Sequence, residues 1–559
     1  MNTKVVALVI VAVVAISGAS AAFVMMNGNK RADSDVVAGM VLSSGAESFG
    51  YKDMGTYYLR GANLFQENLV YTDSDGTYKG LLAESWTTNS DASTWTFVIR
   101  DNVKWSDGEK FTADDVIFTI SYLIEKEPWG LNDAGFLREL KTYKAKDVTE
   151  SSKSYYKGTN TDGKETVTIE MAQPYSNLLL NMRCGLSILP QHIYKDVADP
   201  ETYGNPNTEM NAAVGTGPFI VKSLDTTSRT LKLERNDNYY LGTPESKTFT
   251  IVYYGTWDVA ALALQNKEID LILNWGSGLS ATAAEKLKAD SSVKIGEELS
   301  AAAFGICFNN QKAPFNNKDM RIALSYAVNY EKLVEKILGG YGKVADKSIV
   351  PSSVANFKSN GKMVYDVATA KTQLQALGYY DRNADGWIDD PDGNKWQPTL
   401  AFNASSADIA AIVKESFNAA GIDLQLESAA SGWAGFKKKV DGEGNRLYDM
   451  ILSGCSHLGA YTWSGYVSTV VDKRASLADC QVTDSSFQAI ITKINKASTD
   501  AELKSAAEEL QDWYAANMPM IPFYEKSIIT STGSNVVGVS FDPSFGYTMC
   551  HKTMMEIHT

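Results

Sequence analysis

The sequence predicts a mixed α/β fold built from more than one domain. Three observations carry that expectation. A chain of 559 residues exceeds what one ordinary core accommodates, so two or three lobes are expected. Strand patterns of period two recur among capped helical runs along the chain. No low-complexity tract or short repeat points to a solenoid or a disordered tail.

Taken in order, the first element is a leader. Val5 to Met26 is uncharged and largely apolar, follows Lys4 and precedes Lys30 and Arg31. Ser17-Gly18-Ala19-Ser20-Ala21 supplies the small residues a signal peptidase needs, so export is expected. The stretch is also long enough to cross a bilayer as an uncleaved anchor. With no Cys beside it, a lipoprotein anchor is excluded.

Two half-buried strands follow: Trp95, Phe97 and Ile99 alternate with Thr94, Thr96 and Val98, and Val167, Ile169 and Met171 with Thr166, Thr168 and Glu170. Thr112 to Asp115 approximates a capping box before Val116, Ile117, Ile120, Leu123 and Ile124. Asn317 predicts a helix with Met320, Ala323, Leu324, Ala327 and Val328 on its buried side, running to Gly339-Gly340. Asp366 starts another that ends at Gly378. Thr499 with Glu502 makes a full capping box for a helix that Pro519 terminates.

Composition narrows function. A net charge of −14 argues against a phosphate-backbone partner, which is held by clustered Lys and Arg. Five scattered cysteines make neither a disulfide scaffold nor a Cys-x-x-Cys zinc site. The four histidines fall in no metalloprotease motif, and neither a Gly-x-Ser-x-Gly elbow nor a phosphate-cradling loop occurs. His192, beside Pro190, reads as structural, Asp114-Asp115 as a helix cap and Asp389-Asp390 as loop residues. No enzyme is expected.

An ordered series of segments resembles the family 5 extracellular solute-binding proteins of bacteria and archaea. It runs through Leu82-Ala83-Glu84-Ser85-Trp86, Trp95-Thr96-Phe97, Trp105-Ser106-Asp107-Gly108 and Phe111-Thr112-Ala113-Asp114-Asp115-Val116. Gly215-Thr216-Gly217-Pro218-Phe219, Asn236 to Tyr240, Gln265 to Asp270, Phe308-Asn309-Asn310, Ala313-Pro314-Phe315, Arg321 to Leu324, Ala370 to Tyr379 and Met518 to Pro522 continue it. The resemblance implies a periplasmic-binding-protein-like fold of cluster C type, two lobes with an extra domain around a hinged ligand cleft. It implies lobe I from 33–63, 213–305 and 515–559, an extra domain at 64–212 inserted in it, and lobe II at 306–514, after a leader or anchor at 1–32.

The implied role is the extracytoplasmic receptor of an ABC importer: a monomer that needs no cofactor, binds no nucleic acid and hands a small molecule or peptide to the permease subunits. A membrane-tethered ligand sensor and a secreted hydrolase are the alternative roles. In peptide-binding relatives an Asp after the strand near Tyr448 to Ser453 pairs with the peptide amine; here Cys455-Ser456-His457 stand there. Nickel-binding relatives present a His, and imidazole suits Ni²⁺ or Cu²⁺, so a peptide and a metal chelate both stay open. By segment position, Tyr57, Tyr58, Trp433, His457, Tyr461 and Trp463 are the candidate ligand contacts.

Two further motifs suggest metals. Asp381, Asn383, Asp385, Asp389 and Asp392 stand at positions 1, 3, 5, 9 and 12 of a calcium-type loop, with Gly386 at the turn and the Trp387 carbonyl as a further donor. A structural calcium ion and a polar turn without one both fit. Met549, Cys550, His551, Met554, Met555 and His558 form a tail that either handles a transition metal or packs.

Overall fold

The computed structural model describes residues 34–42, 46–51, 63–73, 77–128, 134–143, 153–176, 178–274, 278–354, 356–429, 446–454, 479–497, 499–541 and 550–559. It is mixed α/β, as expected. The described residues divide into two compact units, the first running to Gly296 and resuming at Ile529, the second spanning Glu297–Ile528.

Unit 1 holds two sheets and a hairpin. Strand β1 (Asp35–Val41) opens the larger sheet; β2 (Val70–Thr72) and β3 (Tyr78–Gly80) make the hairpin. Strands β4 (Ala83–Thr88), β5 (Thr94–Ile99), β6 (Tyr155–Thr159) and β7 (Glu165–Glu170) form an antiparallel sheet in the order β4-β5-β7-β6. Trp95, Phe97 and Ile99 point inward, as their alternation requires, into a core that also takes Val116, Ile120 and Leu123 of the helix Ala113–Lys126. That helix starts at a complete capping box: Thr112 and Asp115 hold each other's backbone N–H, and Asp115 also accepts from Gln191 N at 3.0 Å.

Strands β8 (Phe219–Asp225), β9 (Thr230–Arg235), β10 (Thr248–Tyr254) and β11 (Leu271–Leu273) complete the larger sheet, in the order β11-β1-β10-β9-β8. β1 runs parallel to both β10 and β11, and its short apolar run, buried from Val36 to Met40, is that of a central strand.

Unit 2 is built on β12 (Val293–Phe308), β13 (Gly342–Val344), β14 (Thr399–Phe402), β15 (Gln425–Ser428), β16 (Met450–Gly454) and β17 (Met520–Gly533); β12 and β17 also contribute their residues beyond the division to unit 1. The order is β15-β14-β16-β12-β17, with β13 on β17. β14 runs parallel to both β15 and β16, while β12 is antiparallel to β16.

The helix expected from Asn317 to Gly339 is two helices. Lys318–Ser325 is capped by Asn317, and Tyr330–Leu338 by Asn329, whose side chain accepts from Lys332 N. The break lies at Tyr326, whose carbonyl accepts from Asp366 N at 2.9 Å, so the residues read as one apolar face bend around the core. Gly339 ends the second helix in the left-handed region, at φ 57°. Val367–Ala376 is capped by Asp366, and Asp500–Asn517 by the expected Thr499/Glu502 box.

One buried cation ties this unit together. Arg321, 5% exposed, donates to the carbonyls of Phe315 at 2.7 Å, Asn517 at 2.6 Å and Met518 at 3.1 Å, closing the C-terminal end of the helix Asp500–Asn517. Burial pushes the guanidinium down to about 10. A lysine places one point charge where the planar fork reaches three carbonyls. Arg321→Lys is therefore expected to lower stability in urea unfolding by about 2–4 kcal/mol, the cost of buried acceptors left unpaired.

Candidate functional site

The parallel strands of unit 2 decide where a ligand segment can emerge. Because β15, β14 and β16 point the same way, their carboxyl ends lie along one edge of the sheet, where open α/β sheets bind ligands. Trp433 follows the end of β15; His457, Tyr461 and Trp463 follow the end of β16. These four side chains lie outside the described residues, as do Tyr57 and Tyr58 in unit 1. The described structure fixes the anchors on either side of their segments.

Adjacent asparagines supply those anchors. Asn309, fully buried, donates through Nδ2 to the carbonyls of Arg446 and Tyr448, each at 3.0 Å, where the chain returns from 430–445. Asn310 donates through Nδ2 to the carbonyls of Cys480 at 2.7 Å and Phe308 at 3.0 Å, where the chain returns from 455–478. Ser453, at the end of β16, hydrogen-bonds the buried carboxylate of Asp479, and the Tyr448 hydroxyl donates to the Asp479 carbonyl at 2.9 Å. Both ends of the His457 segment are thus held at one place. The sequence showed Phe308-Asn309-Asn310 as a motif; its clamping role needed the fold.

The calcium-type loop is closed by its own backbone. Asp381 Oδ2 accepts from Gly386 N, Asn383 Oδ1 from Asp385 N and Asp385 Oδ1 from Trp387 N, each at 2.9 Å. Asp389 is buried and accepts from Arg382 N at 3.0 Å; Asp392 donates its N–H to Asp390 at 2.9 Å. Lys395 Nζ lies 4.3 Å from the centre of the Trp387 ring. Among the described residues no three His, Cys, Asp or Glu side chains gather around one metal position.

In unit 1 the residues after the Tyr57-Tyr58 segment enter a buried polar seat. Gly215 and Gly217 form its floor: a Cβ on Gly215 would lie 1.8 Å from the Phe65 carbonyl oxygen, and one on Gly217 2.8 Å from Phe65 Cα. Gly217 N donates to Phe65 O at 3.0 Å and Phe219 N to Leu64 O at 3.1 Å. The bare backbone of the Gly-Thr-Gly-Pro-Phe motif thus lets the chain at Leu64–Gln66 lie directly on it. Asn68, fully buried, donates to Asn63 Oδ1 at 2.9 Å and to the Arg183 carbonyl at 2.8 Å.

Glu67 is the residue that sequence reasoning missed. It is fully buried, and it accepts from the hydroxyls of Tyr239 at 2.6 Å and Tyr240 at 3.1 Å. Burial pushes its carboxyl up to about 7 against the pull of those hydrogen bonds and of Arg100. The Tyr239 oxygen also lies 2.9 Å from His551 Nε2, and the His551 ring packs against Tyr71 with centroids 4.6 Å apart. His551 begins the helix His551–Glu556 and is 7% exposed; burial lowers its imidazole to about 4. Cys550, Met554 and Ile557 are buried beside it, and the Cys550 Sγ faces Thr553 Oγ1 at 3.5 Å, while His558 is exposed and Met549 lies outside the described residues. The signal for Glu67 was the polar triplet Gln66-Glu67-Asn68 set between the apolar pairs Leu64-Phe65 and Leu69-Val70.

Comparison with known proteins gives one family. Residues 77–470 match the family described as bacterial extracellular solute-binding proteins, family 5 middle. The chain is 28% identical over 373 residues to the oligopeptide-binding protein AppA of Bacillus subtilis (strain 168), covering 65% of this chain and 64% of AppA. It is 26% identical over 371 residues to the nickel-binding periplasmic protein of Escherichia coli (strain K12), covering 65% of this chain and 66% of the relative. These matches therefore span about two thirds of the relatives' length. Among solved structures, NikA of Brucella suis in complex with Fe(III)-EDTA superposes with a TM-score of 0.74 at 20% identity, over 94% of this chain and all of that one.

If the asparagine pair holds the segment ends, Asn309→Ala and Asn310→Ala should each lower stability by about 1–3 kcal/mol, since each removes at least two side-chain hydrogen bonds to backbone carbonyls. Hydrogen exchange should then quicken first in peptides covering 446–454 and 479–484.

Proposed function

The chain belongs to the family 5 bacterial extracellular solute-binding proteins, and from that membership we propose that it is the receptor of an ABC importer, capturing a small hydrophilic ligand outside the cytoplasmic membrane and passing it to the permease subunits without chemistry. The observation that carries this reading is the family match across residues 77–470, within which the two segments bearing Trp433 and His457 leave the carboxyl ends of parallel strands.

A receptor of this kind must hold its ligand at micromolar affinity or better, about −8 kcal/mol, yet release it intact. Stacking on Tyr57, Tyr58, Trp433, Tyr461 and Trp463, with one orienting contact from His457, suits that task. Relatives named for oligopeptide and for nickel support the two ligand classes, a peptide or a metal chelate. Since Cys455-Ser456-His457 carries no carboxylate to pair with a peptide amine, the chelate is the reading tested first.

Localisation follows the same reading: the apolar stretch Val5 to Met26 directs export, and cleavage near Ala21 releases the protein. No helix among the described residues is long and apolar enough to cross a membrane.

A thermal-shift panel of peptides, Ni²⁺, Co²⁺ and their histidine chelates tests the ligand. At one hundred times Kd a true ligand should add about 2.7 kcal/mol of stability. Stabilisation by chelates that His457→Ala removes is expected; a shift with peptides alone defeats the chelate, and no shift with any member defeats both classes. Trp463→Ala should weaken binding of the stabilising ligand by about tenfold or more while leaving the unliganded transition in place. The intact mass of exported protein should lack the residues before Ala22; their retention would mean an anchor.

A further inference from the structure

The contact between Glu67 and His551 through Tyr239 has a proton inventory that its geometry restricts. A phenol carries one hydrogen, so Tyr239 donates either to Glu67 Oε1 at 2.6 Å or to His551 Nε2 at 2.9 Å, never to both. If Glu67 is ionised, Tyr239 donates to it and His551 Nε2–H donates to the phenolic oxygen. If Glu67 is protonated, the chain reverses: its O–H donates to the phenolic oxygen, the phenol donates to Nε2, and the imidazole proton sits on Nδ1. The same heavy-atom positions serve both arrangements.

We propose that Glu67, Tyr239 and His551 form a proton-compensated pair: as unit 1 folds, His551 gives up its imidazolium proton while the Glu67 carboxylate gains one, so that acid and base are buried together as neutral groups and the helix His551–Glu556 is fixed without net proton uptake. One N–H bond breaks, one O–H bond forms, and water carries the proton in the unfolded chain. Charges of +1 and −1 become two neutral groups.

The surroundings favour the neutral form. Burying an isolated carboxylate or imidazolium is costly, and Glu67, Tyr239 and His551 are 0%, 5% and 7% exposed. The charged groups that face them are Arg100, whose guanidinium carbon lies 5.6 Å from the centre of the Tyr240 ring and whose Nε donates to the Leu81 carbonyl at 2.6 Å, and Asp73, just beyond β2 and acting on His551. Burial raises both phenols, Tyr239 and Tyr240, so each keeps its hydrogen.

The two groups act on stability with opposite signs. Glu67 is raised in the folded chain from 4.5 to about 7, so its contribution is full below pH 4.5 and is lost as pH rises through 7. His551 is lowered from 6.5 to about 4, so its contribution is full above pH 6.5 and is lost as pH falls through 4. Between pH 4.5 and 6.5 the slopes cancel.

The test is the urea unfolding of the full chain between pH 4 and 7.5 for wild type, Glu67→Gln, His551→Gln and the double variant. All other titrating groups are shared, so differences between profiles isolate the pair. Relative to wild type, Glu67→Gln should lose stability as pH falls from 7 to 4.5, its unfolding constant rising by up to about tenfold per pH unit. His551→Gln should lose stability relative to wild type as pH rises from 4 to 6.5, with a similar slope. The double variant should run parallel to wild type between pH 4.5 and 6.5. Parallel profiles for the single variants overturn the proposal. Should a variant fail to fold, NMR titration of the wild-type imidazoles decides: His551 neutral in the folded protein at pH 5.5 supports the pair, and titration near 6.5 overturns it. Neither readout depends on a ligand, so failure here is distinct from failure of the receptor reading.

Discussion

The close passage of Leu64–Gln66 over Gly215 and Gly217 is the constraint on which the buried centre of unit 1 rests. With the Phe65 carbonyl occupying the place of a side chain on Gly215, no other residue type fits without moving backbone. The passage fixes Glu67 facing Tyr239 and Tyr240 and seats Asn68 against the Arg183 carbonyl, so one steric fact propagates into a network of polar partners. Polar residues in such a place are tolerated because Tyr239, Tyr240, Asn63 and the Arg183 carbonyl meet them with hydrogen bonds, and the network in turn specifies which segment may lie there.

Unit 2 solves a different problem. Long connections leave its parallel strands, and the described residues show how the ends of those connections are held. Asn309 and Asn310 do the fixing with two consecutive side-chain amides that reach chain returns far apart in sequence. An amide suits the role because its two donors satisfy two carbonyls, whereas a carboxylate there would face acceptors with no proton to offer. Arg321 repeats the logic with a cation, spending its fork on carbonyls at a helix end.

Local signals were readable in the sequence wherever the physics is local. Both capping boxes stand as the spacing of Thr112/Asp115 and Thr499/Glu502 implies, and the Trp95-Phe97-Ile99 alternation points inward, because each depends on neighbours a few residues away. The break at Tyr326 was not readable, since it depends on Asp366 arriving from another segment and on Asn329 acting as a cap inside an apolar pattern. The aspartate loop shows the same divide: its spacing gives the turn, while the inward burial of Asp389 belongs to the fold. Glu67 and His551 stand far apart in the chain, so neither announces the other. The candidate ligand contacts rest on segment position, and what the fold adds is where their segments begin and end.

The helix His551–Glu556 gives unit 1 an order of assembly. Val36 and Ile557 lie buried in the same unit, so its core draws on both extremes of the described chain, with the whole of Glu297–Ile528 between them. While the chain is being made, residues near Glu67 emerge long before the imidazole that completes their surroundings. Unit 2, continuous from Glu297 to Ile528, can collapse first, but unit 1 must wait for its last helix. Unit 1 of a nascent chain thus stays incomplete until the helix His551–Glu556 has emerged, which makes the timing of folding a property of the topology itself.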